Sequence, residues 1–437
     1  MKFVIAVTVF SLATFLFKKA AGTLDFMKLN MVSAIYYYIL GFNLIGGTLI
    51  YLGMREHYMI QNIRKESVIN TTYYILAYTV IMFPAVLLIM KNFFSKSFEK
   101  KMELYRERKV SYDKNSVGTQ IAVILLIGLC ISAILYVTSR IGFVPLIEAF
   151  KEGADVEMLA QAANRNFRGN VYIKNIIMMW MPPYLSYYAY IKMRSTGLRS
   201  WKKIFAILFV ISIFVVTYDL SKAPIINYFL GLYLVDVMIG KVKNRKKFVK
   251  LILVGVVIIL IYYVIMLDAR HSLISIYTGP VGRIIFSQIA TLFLHVQLFP
   301  VYHPYLCGAS FVRWFRFIFP KASGVRSGRV VMAAFNPEGI EANTAGVMNT
   351  IFVGEAYANF GMAGVIAAPI IFGVVIGAVA YVLPKLKKNP VTVLLYVEMS
   401  LLFITIVEGG FVDIFYNATF IIAIGLALFL EMVAEAK

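Results

Sequence analysis

Acidic residues are scarce in this chain: 22 Asp and Glu stand against 43 Lys and Arg in 437 residues. Cysteine is rarer, with Cys130 and Cys307 alone. Two cysteines make neither a disulfide framework nor a cysteine metal site. Cys130 sits inside an apolar run and reads as packing. The chain has no phosphate-binding GxxxxGK loop, no HExxH, no GxSxG and no Asp-rich metal motif. It does not look built to use ATP or a protein-bound catalytic metal. No internal repeat and no linker divides it, so residues 1–437 read as one integral membrane domain. The alternating pattern of an outer-membrane barrel is also missing.

What is present is apolar helix. Sixty per cent of residues are hydrophobic and 15% charged. The mean hydropathy is +0.78. These values lie far from those of a soluble domain. Apolar runs recur at a length of roughly 16–23 residues, enough to cross a hydrocarbon core. In lipid every backbone polar group must be satisfied internally, so the runs are helices. Eleven spans are predicted, at about 2–17, 31–53, 68–90, 117–138, 171–191, 204–218, 225–240, 251–267, 350–383, 391–408 and 418–435. The first run resembles a signal peptide in length. Lys18 and Lys19 follow it where small cleavage-site residues would be expected, so it is read as a retained span.

The net charge of +21 first points to nucleic acid. The lysines, however, lie in short loops between spans, as the positive-inside rule requires. No soluble basic face remains for a nucleic acid. Residues 91–116, 192–203, 241–250 and 384–390 carry the basic loops and are assigned to the cytoplasm. Two long loops, 139–170 and 268–349, then face out. Residues 281–300 are apolar enough for a further span. Parity and the polar residues Arg283, Gln288, His295 and Gln297 favour an interfacial helix instead.

The two sides differ in the kind of base they carry. The four inner loops hold 17 lysines and 5 arginines. The outer loops hold nine arginines, Arg140, Arg165, Arg168, Arg270, Arg283, Arg313, Arg316, Arg326 and Arg329, with only Lys151 and Lys321. Arginine grips phosphate with a planar, two-toothed fork. Outer arginines therefore point to an anionic ligand. The plainer reading is that long outer loops escape the topology rule and pair with Glu148, Glu152 and Asp155.

Within the outer segments, Arg270 and His271 directly follow a span, at the depth of a lipid diphosphate. Arg165 and Arg168 share one face if their stretch is helical. Asn164, Asn166 and Asn170 beside them suit a hydroxyl-rich sugar. Lys222, in the break Tyr218 to Pro224, faces either a short hairpin or a substrate cavity. Lys321 to Arg329 is a small, basic stretch that reads as a flap or as a linker. Glu338, Glu341 and Glu355 are the nearby acids able to accept a hydroxyl proton. His271, His295 and His303 compete for that role. Glu398, inside a late span, costs about 2.5–3.5 kcal/mol on insertion scales and must face protein or water.

Asn343-Thr344-Ala345 to Gly364, with Gly354-Glu355-Ala356-Tyr357-Ala358-Asn359-Phe360-Gly361, resembles the closing motif of bacterial O-antigen polymerases, the oligosaccharide repeat-unit polymerases. The layout is similar over roughly 117–435, and the departure is Lys222, where arginine would be expected. The resemblance implies an all-α, polytopic glycosyltransferase with a GT-C-like arrangement, active at the outer face of the bacterial cytoplasmic membrane. Its substrates would be undecaprenyl-diphosphate-linked oligosaccharides, as donor and acceptor, and it would need no cofactor and no metal. A chain-length regulator fits as a protein partner. On this reading Arg270, Arg140 and Arg283 hold the diphosphate, with Arg165 and Arg168 as second candidates. Lys222, Arg326, Arg329 and Tyr357 complete the substrate site. Glu355 is the base, or else it only orders the loop end. An O-antigen ligase is the nearest alternative, and a lipid-linked oligosaccharide flippase or transporter the alternative of another class.

Overall fold

The computed structural model describes residues 1–436 apart from 62, 64, 112–115, 150, 152–157, 160–166, 243–274, 276, 278 and 343–344. The predicted span at 251–267 lies outside the described residues, as do Arg165, Arg270, His271, Asn164 and Asn166. Among the described residues the chain is helical and has no strand. Eight helical stretches are long and apolar enough to cross a membrane. The molecule is thus a polytopic membrane protein.

The first helices are α1 (Lys2–Ala21), α2 (Met31–Leu52, through a π turn at Leu40–Leu44) and α3 (Glu66–Phe94). A short amphipathic helix, α4 (Phe98–Glu107), precedes α5 (Ser116–Ile141). Then come α6 (Met181–Thr196), entered through a π segment at Ile173–Trp180, α7 (Arg199–Thr217) and α8 (Ala223–Met238). Helix α9 (Gln288–Leu298) follows a π turn at Arg283–Ser287, and α10 (Ser327–Phe335) follows a loop. The last three are α11 (Phe352–Val382), α12 (Pro390–Gly409) and α13 (Ala418–Glu435).

The described parts of the basic loops gather on one face. Lys388 Nζ donates to the carbonyls of Tyr105, Arg106 and Arg108 at 2.6, 3.1 and 2.8 Å, closing the end of α4. Arg106 donates to the Lys28 carbonyl at 2.7 Å. Arg194 meets Asp236 at 2.9 Å. At the opposite end, Lys2 and Arg55 both pair with Glu66.

Close helix packing rests on small residues, since lipid gives apolar helices little drive to associate. Cβ atoms at Gly373 and Gly377 would lie 2.7 Å from Val86 and Met90 of α3. Only glycine lets the two backbones approach this closely.

Helix α11 is not one straight rod. Gly361 is non-helical, with φ 60° and ψ −141°. Phe352 stacks on Phe372 with ring centroids 3.9 Å apart. Twenty residues of continuous helix would separate them by about 30 Å. The chain therefore folds back at Gly361, so that 352–360 returns alongside 362–382. Gly364 makes the turn possible: a Cβ there would lie 2.2 Å from the Ala356 carbonyl oxygen. The run 350–383, expected as one span, is a span plus a re-entrant helix.

Helix α9 also departs from expectation. An interfacial helix would leave one face to water. Here Ile289, Thr291, Phe293, His295 and Val296, on every side of α9, are buried. The apolar content of 281–300 packs inside the protein, against α2, α3 and α11.

Gly364→Val should lower the detergent unfolding midpoint by the equivalent of about 1–3 kcal/mol, as overpacking does. Gly361→Ala should lower it by a similar amount through backbone strain. Gly425→Ala, in α13 with open space around it, should be neutral or raise it by up to about 1 kcal/mol. A thermal melt followed by size-exclusion chromatography separates the three.

Candidate functional site

The re-entrant helix 352–360 is made almost wholly of the run Gly354 to Gly361. Each polar residue there has a structural partner. The Asn359 amide donates to Ser310 Oγ at 2.9 Å and to the Glu355 carbonyl at 2.9 Å. Its oxygen accepts the Gly308 N–H at 3.1 Å. The carbonyls of Ala358 and Asn359, left open by the helix end, accept from Leu306 and Cys307 at 2.9 and 3.0 Å. Tyr357 donates its hydroxyl to the Phe299 carbonyl at 3.1 Å and meets Tyr305 edge-on. The loop 299–310 is thus laced to the hairpin tip.

Glu355 is tied to Arg326. Arg326 Nε and Nη2 donate to its two oxygens at 2.8 and 3.1 Å. The other edge of the guanidinium donates to Asp413 at 2.7 and 3.1 Å, and Nη2 also reaches the Gly409 carbonyl at 3.0 Å. The Val412 N–H completes Glu355 at 3.0 Å. Burial opposes the charge on Arg326, but Asp413 and Glu355 outweigh it and hold the guanidinium more firmly protonated than usual. Of the two roles left open for Glu355, this geometry matches the organising one. Its oxygens are committed to a cation and a backbone amide.

Beside this cluster lies a cavity of about 760 Å³. Its polar lining is Gln61, Ser287, Gln288, Thr291, Asn336 and Asn349, with Tyr58 and Glu408; Met, Phe, Val and Leu side chains fill the rest. The lining carries no cation among the described residues. Glu408 is 8% exposed. Neither of its oxygens makes a well-formed hydrogen bond; Tyr38 and Asn43 are within hydrogen-bonding reach of the carboxyl. Glu408 immediately precedes Gly409, so the cavity and the Arg326 cluster share a wall.

A second group is cationic. Lys222, half-buried before α8, lies near Arg283. Burial and then repulsion from Arg283 push its pKa down to about 8. Arg283 precedes Ser287 of the cavity lining by four residues. A π turn brings such residues to nearly the same helix face. At the end of α5, Arg140 stands over the Tyr136 ring, and the Tyr136 hydroxyl accepts the Asn170 N–H at 3.1 Å. Arg168, two residues earlier, is exposed in that neighbourhood. Arg329 is exposed, away from the fork made by Arg326.

The remaining polar candidates have ordinary partners. His295 donates Nδ1–H to the Thr291 carbonyl at 2.7 Å, which leaves Nε2 to accept from Ser327 Oγ at 3.0 Å. His303 Nδ1 faces the Pro304 carbonyl at 2.7 Å. Trp180 Nε1–H donates to Glu398 at 2.6 Å, which satisfies that intramembrane acid. Among the described residues no cluster of His, Cys, Asp and Glu could hold a metal ion.

Sequence reading missed Glu408 and Asp413. Glu408 closes the apolar run 391–408, and an acid at a span end normally reaches water. Two glycines follow it, and residues 411–414 turn back over it. That Glu-Gly-Gly end was the one available signal.

Comparison with family models, curated proteins and solved structures returns no match for this chain.

Arg326→Met should cost about 3 kcal/mol of stability, the low end for breaking a buried pair, because the arginine side chain is 31% exposed. The double variant Arg326→Met with Glu355→Gln should recover part of the loss. A double-mutant cycle on unfolding midpoints measures it.

Proposed function

We propose that the chain is a membrane glycosyltransferase that polymerises undecaprenyl-diphosphate-linked oligosaccharide repeat units. It works at the outer face of the bacterial cytoplasmic membrane, with a GT-C-like arrangement of helices. The observation that carries this reading is a cavity lined by amides and hydroxyls, whose Ser287 lies in the same π turn as Arg283, itself near Lys222. A sugar needs hydrogen-bonding groups and apolar faces. A diphosphate needs cations. The cavity lining offers the first and the Lys222 and Arg283 side chains the second.

The chemistry suits such a layout. The donor is activated by its own diphosphate. Cations aimed at that leaving group stabilise the charge that develops as it departs. Holding two lipid-linked substrates side by side supplies much of the remaining rate. Arg283 and Lys222 are the diphosphate contacts that the geometry favours, with Arg140 and Arg168 at the neighbouring end of α5. Arg270 and Arg165 keep the roles expected from the sequence. Arg326 holds the hairpin in place and Tyr357 anchors its tip, so both act on substrate through the shape of the site. Arg329 stays a surface contact for substrate.

A transporter of lipid-linked sugar is the second reading. The re-entrant hairpin and a buried, unpaired acid favour it, since transporters bind substrate at broken helices.

Purified protein in liposomes with undecaprenyl-diphosphate repeat units and no nucleotide should yield a polymer ladder and free undecaprenyl diphosphate. Unit translocation without a ladder would replace this reading with the transporter. Arg283→Ala should lower kcat/KM by about 10²–10³, as loss of one charge-stabilising donor does. Lys222 binds an anion only when protonated. Affinity for undecaprenyl diphosphate, measured by quenching of intrinsic fluorescence, should therefore fall as pH rises through about 8, and Lys222→Arg should hold it constant to pH 9.

A further inference from the structure

The buried acid at the cavity wall is used by nothing described so far. We infer that the cavity is the acceptor-sugar site and that Glu408 takes the proton from the attacking hydroxyl; this rests on the glycosyltransferase reading.

Three observations carry the inference. First, Glu408 lines the cavity and is more than nine-tenths buried. Second, neither oxygen makes a well-formed hydrogen bond, and its polar neighbours are the neutral side chains of Tyr38 and Asn43. A buried carboxyl without a well-formed partner is costly, and an ionisable group within a membrane span is by default a functional candidate. Third, the other acid near the hairpin cannot serve. Glu355 is held on both oxygens by Arg326, and Arg326 is shared with Asp413. The fork fixes Gly409 through its carbonyl, and so positions Glu408 one residue away.

The step balances without a co-reactant. The acceptor hydroxyl oxygen bonds to the donor's anomeric carbon. The bond from that carbon to the diphosphate oxygen breaks, and undecaprenyl diphosphate leaves with the electron pair. The hydroxyl proton passes to the Glu408 carboxylate and then to water. Gln288, Thr291 and Asn349 lie along the same wall to orient the sugar.

Few other groups titrate around Glu408. Tyr38 flanks it from α2, and Tyr58 is the second titratable group in the lining. His57 sits behind Ser287 at 3.3 Å. The Arg326, Glu355 and Asp413 cluster lies across Gly409.

The test uses the full-length protein in liposomes with undecaprenyl-diphosphate repeat units. Glu408→Gln should reduce the ladder about 10²–10⁴-fold, the usual worth of a general base, with little change in the acceptor KM. Glu408→Asp should recover part of the rate. At saturating substrate, where weaker binding through Lys222 does not limit it, the wild-type rate should climb with pH on one ionisation, and that limb should vanish in the residual activity of Glu408→Gln. A melting midpoint of Glu408→Gln at or above wild type shows that the loss is chemical. Dicyclohexylcarbodiimide, which couples to protonated carboxyls in apolar sites, should modify Glu408 and spare Glu355 on peptide mapping. A wild-type ladder with a near-normal Glu408→Gln ladder overturns this inference and leaves the polymerase reading intact. A wild-type protein that makes no ladder from its native repeat unit overturns both. Absence of carbodiimide label at Glu408 overturns its place as an accessible cavity acid, whatever the activity.

Discussion

One guanidinium ties three separate segments of this protein together. Arg326 sits between Glu355 on the re-entrant helix and Asp413 in the turn after α12, with a fork on each. Taking three charges out of water is expensive, and only near-ideal geometry offsets it. Here every edge of the guanidinium that meets an acid makes two hydrogen bonds. The loop 299–350, the hairpin and the 409–414 turn meet at this point. Without it, two acids would face each other at the base of a membrane hairpin.

The hairpin depends on the fork and also on what glycine permits. Gly361 takes a backbone conformation that side chains resist, and Gly364 removes the atom that would strike Ala356. The two limbs then lie close enough for Phe352 to reach Phe372. Non-helical backbone is tolerated at membrane depth only when buried in protein or beside a polar cavity. Both conditions are met. Asn359 and the 306–310 loop satisfy the open end of the short helix, and the cavity lies beside its base.

The same arrangement separates charge from neutral polarity. Cations stand at the approach, at Lys222 and Arg283. Inside, amides and hydroxyls line the wall and Glu408 is the single carboxylate. Such a division suits a ligand with an anionic lipid end and a sugar end. Among the described residues no cation lines the cavity beside Glu408, and a cation in contact would make its carboxylate a weaker base.

Composition and periodicity determined a good deal. The polytopic helical class, the single face of basic loops and the placing of most spans follow from hydropathy and from lysine position, because lipid leaves the backbone no alternative. The run Gly354 to Gly361 was singled out by its resemblance to a family motif, not by any local pattern. What each polar residue there does was not legible. Glu355, Arg326 and Asp413 are 29 and 87 residues apart in the chain, and no local pattern couples them. The fold-back at Gly361 was hidden because a one-dimensional apolar run reads the same whether it crosses once or turns round. Glu408 drew no notice at the end of an apolar run, and α9 read as an interfacial helix. Tertiary structure decided both, because only packing determines whether a polar group at the end of an apolar run meets water or protein.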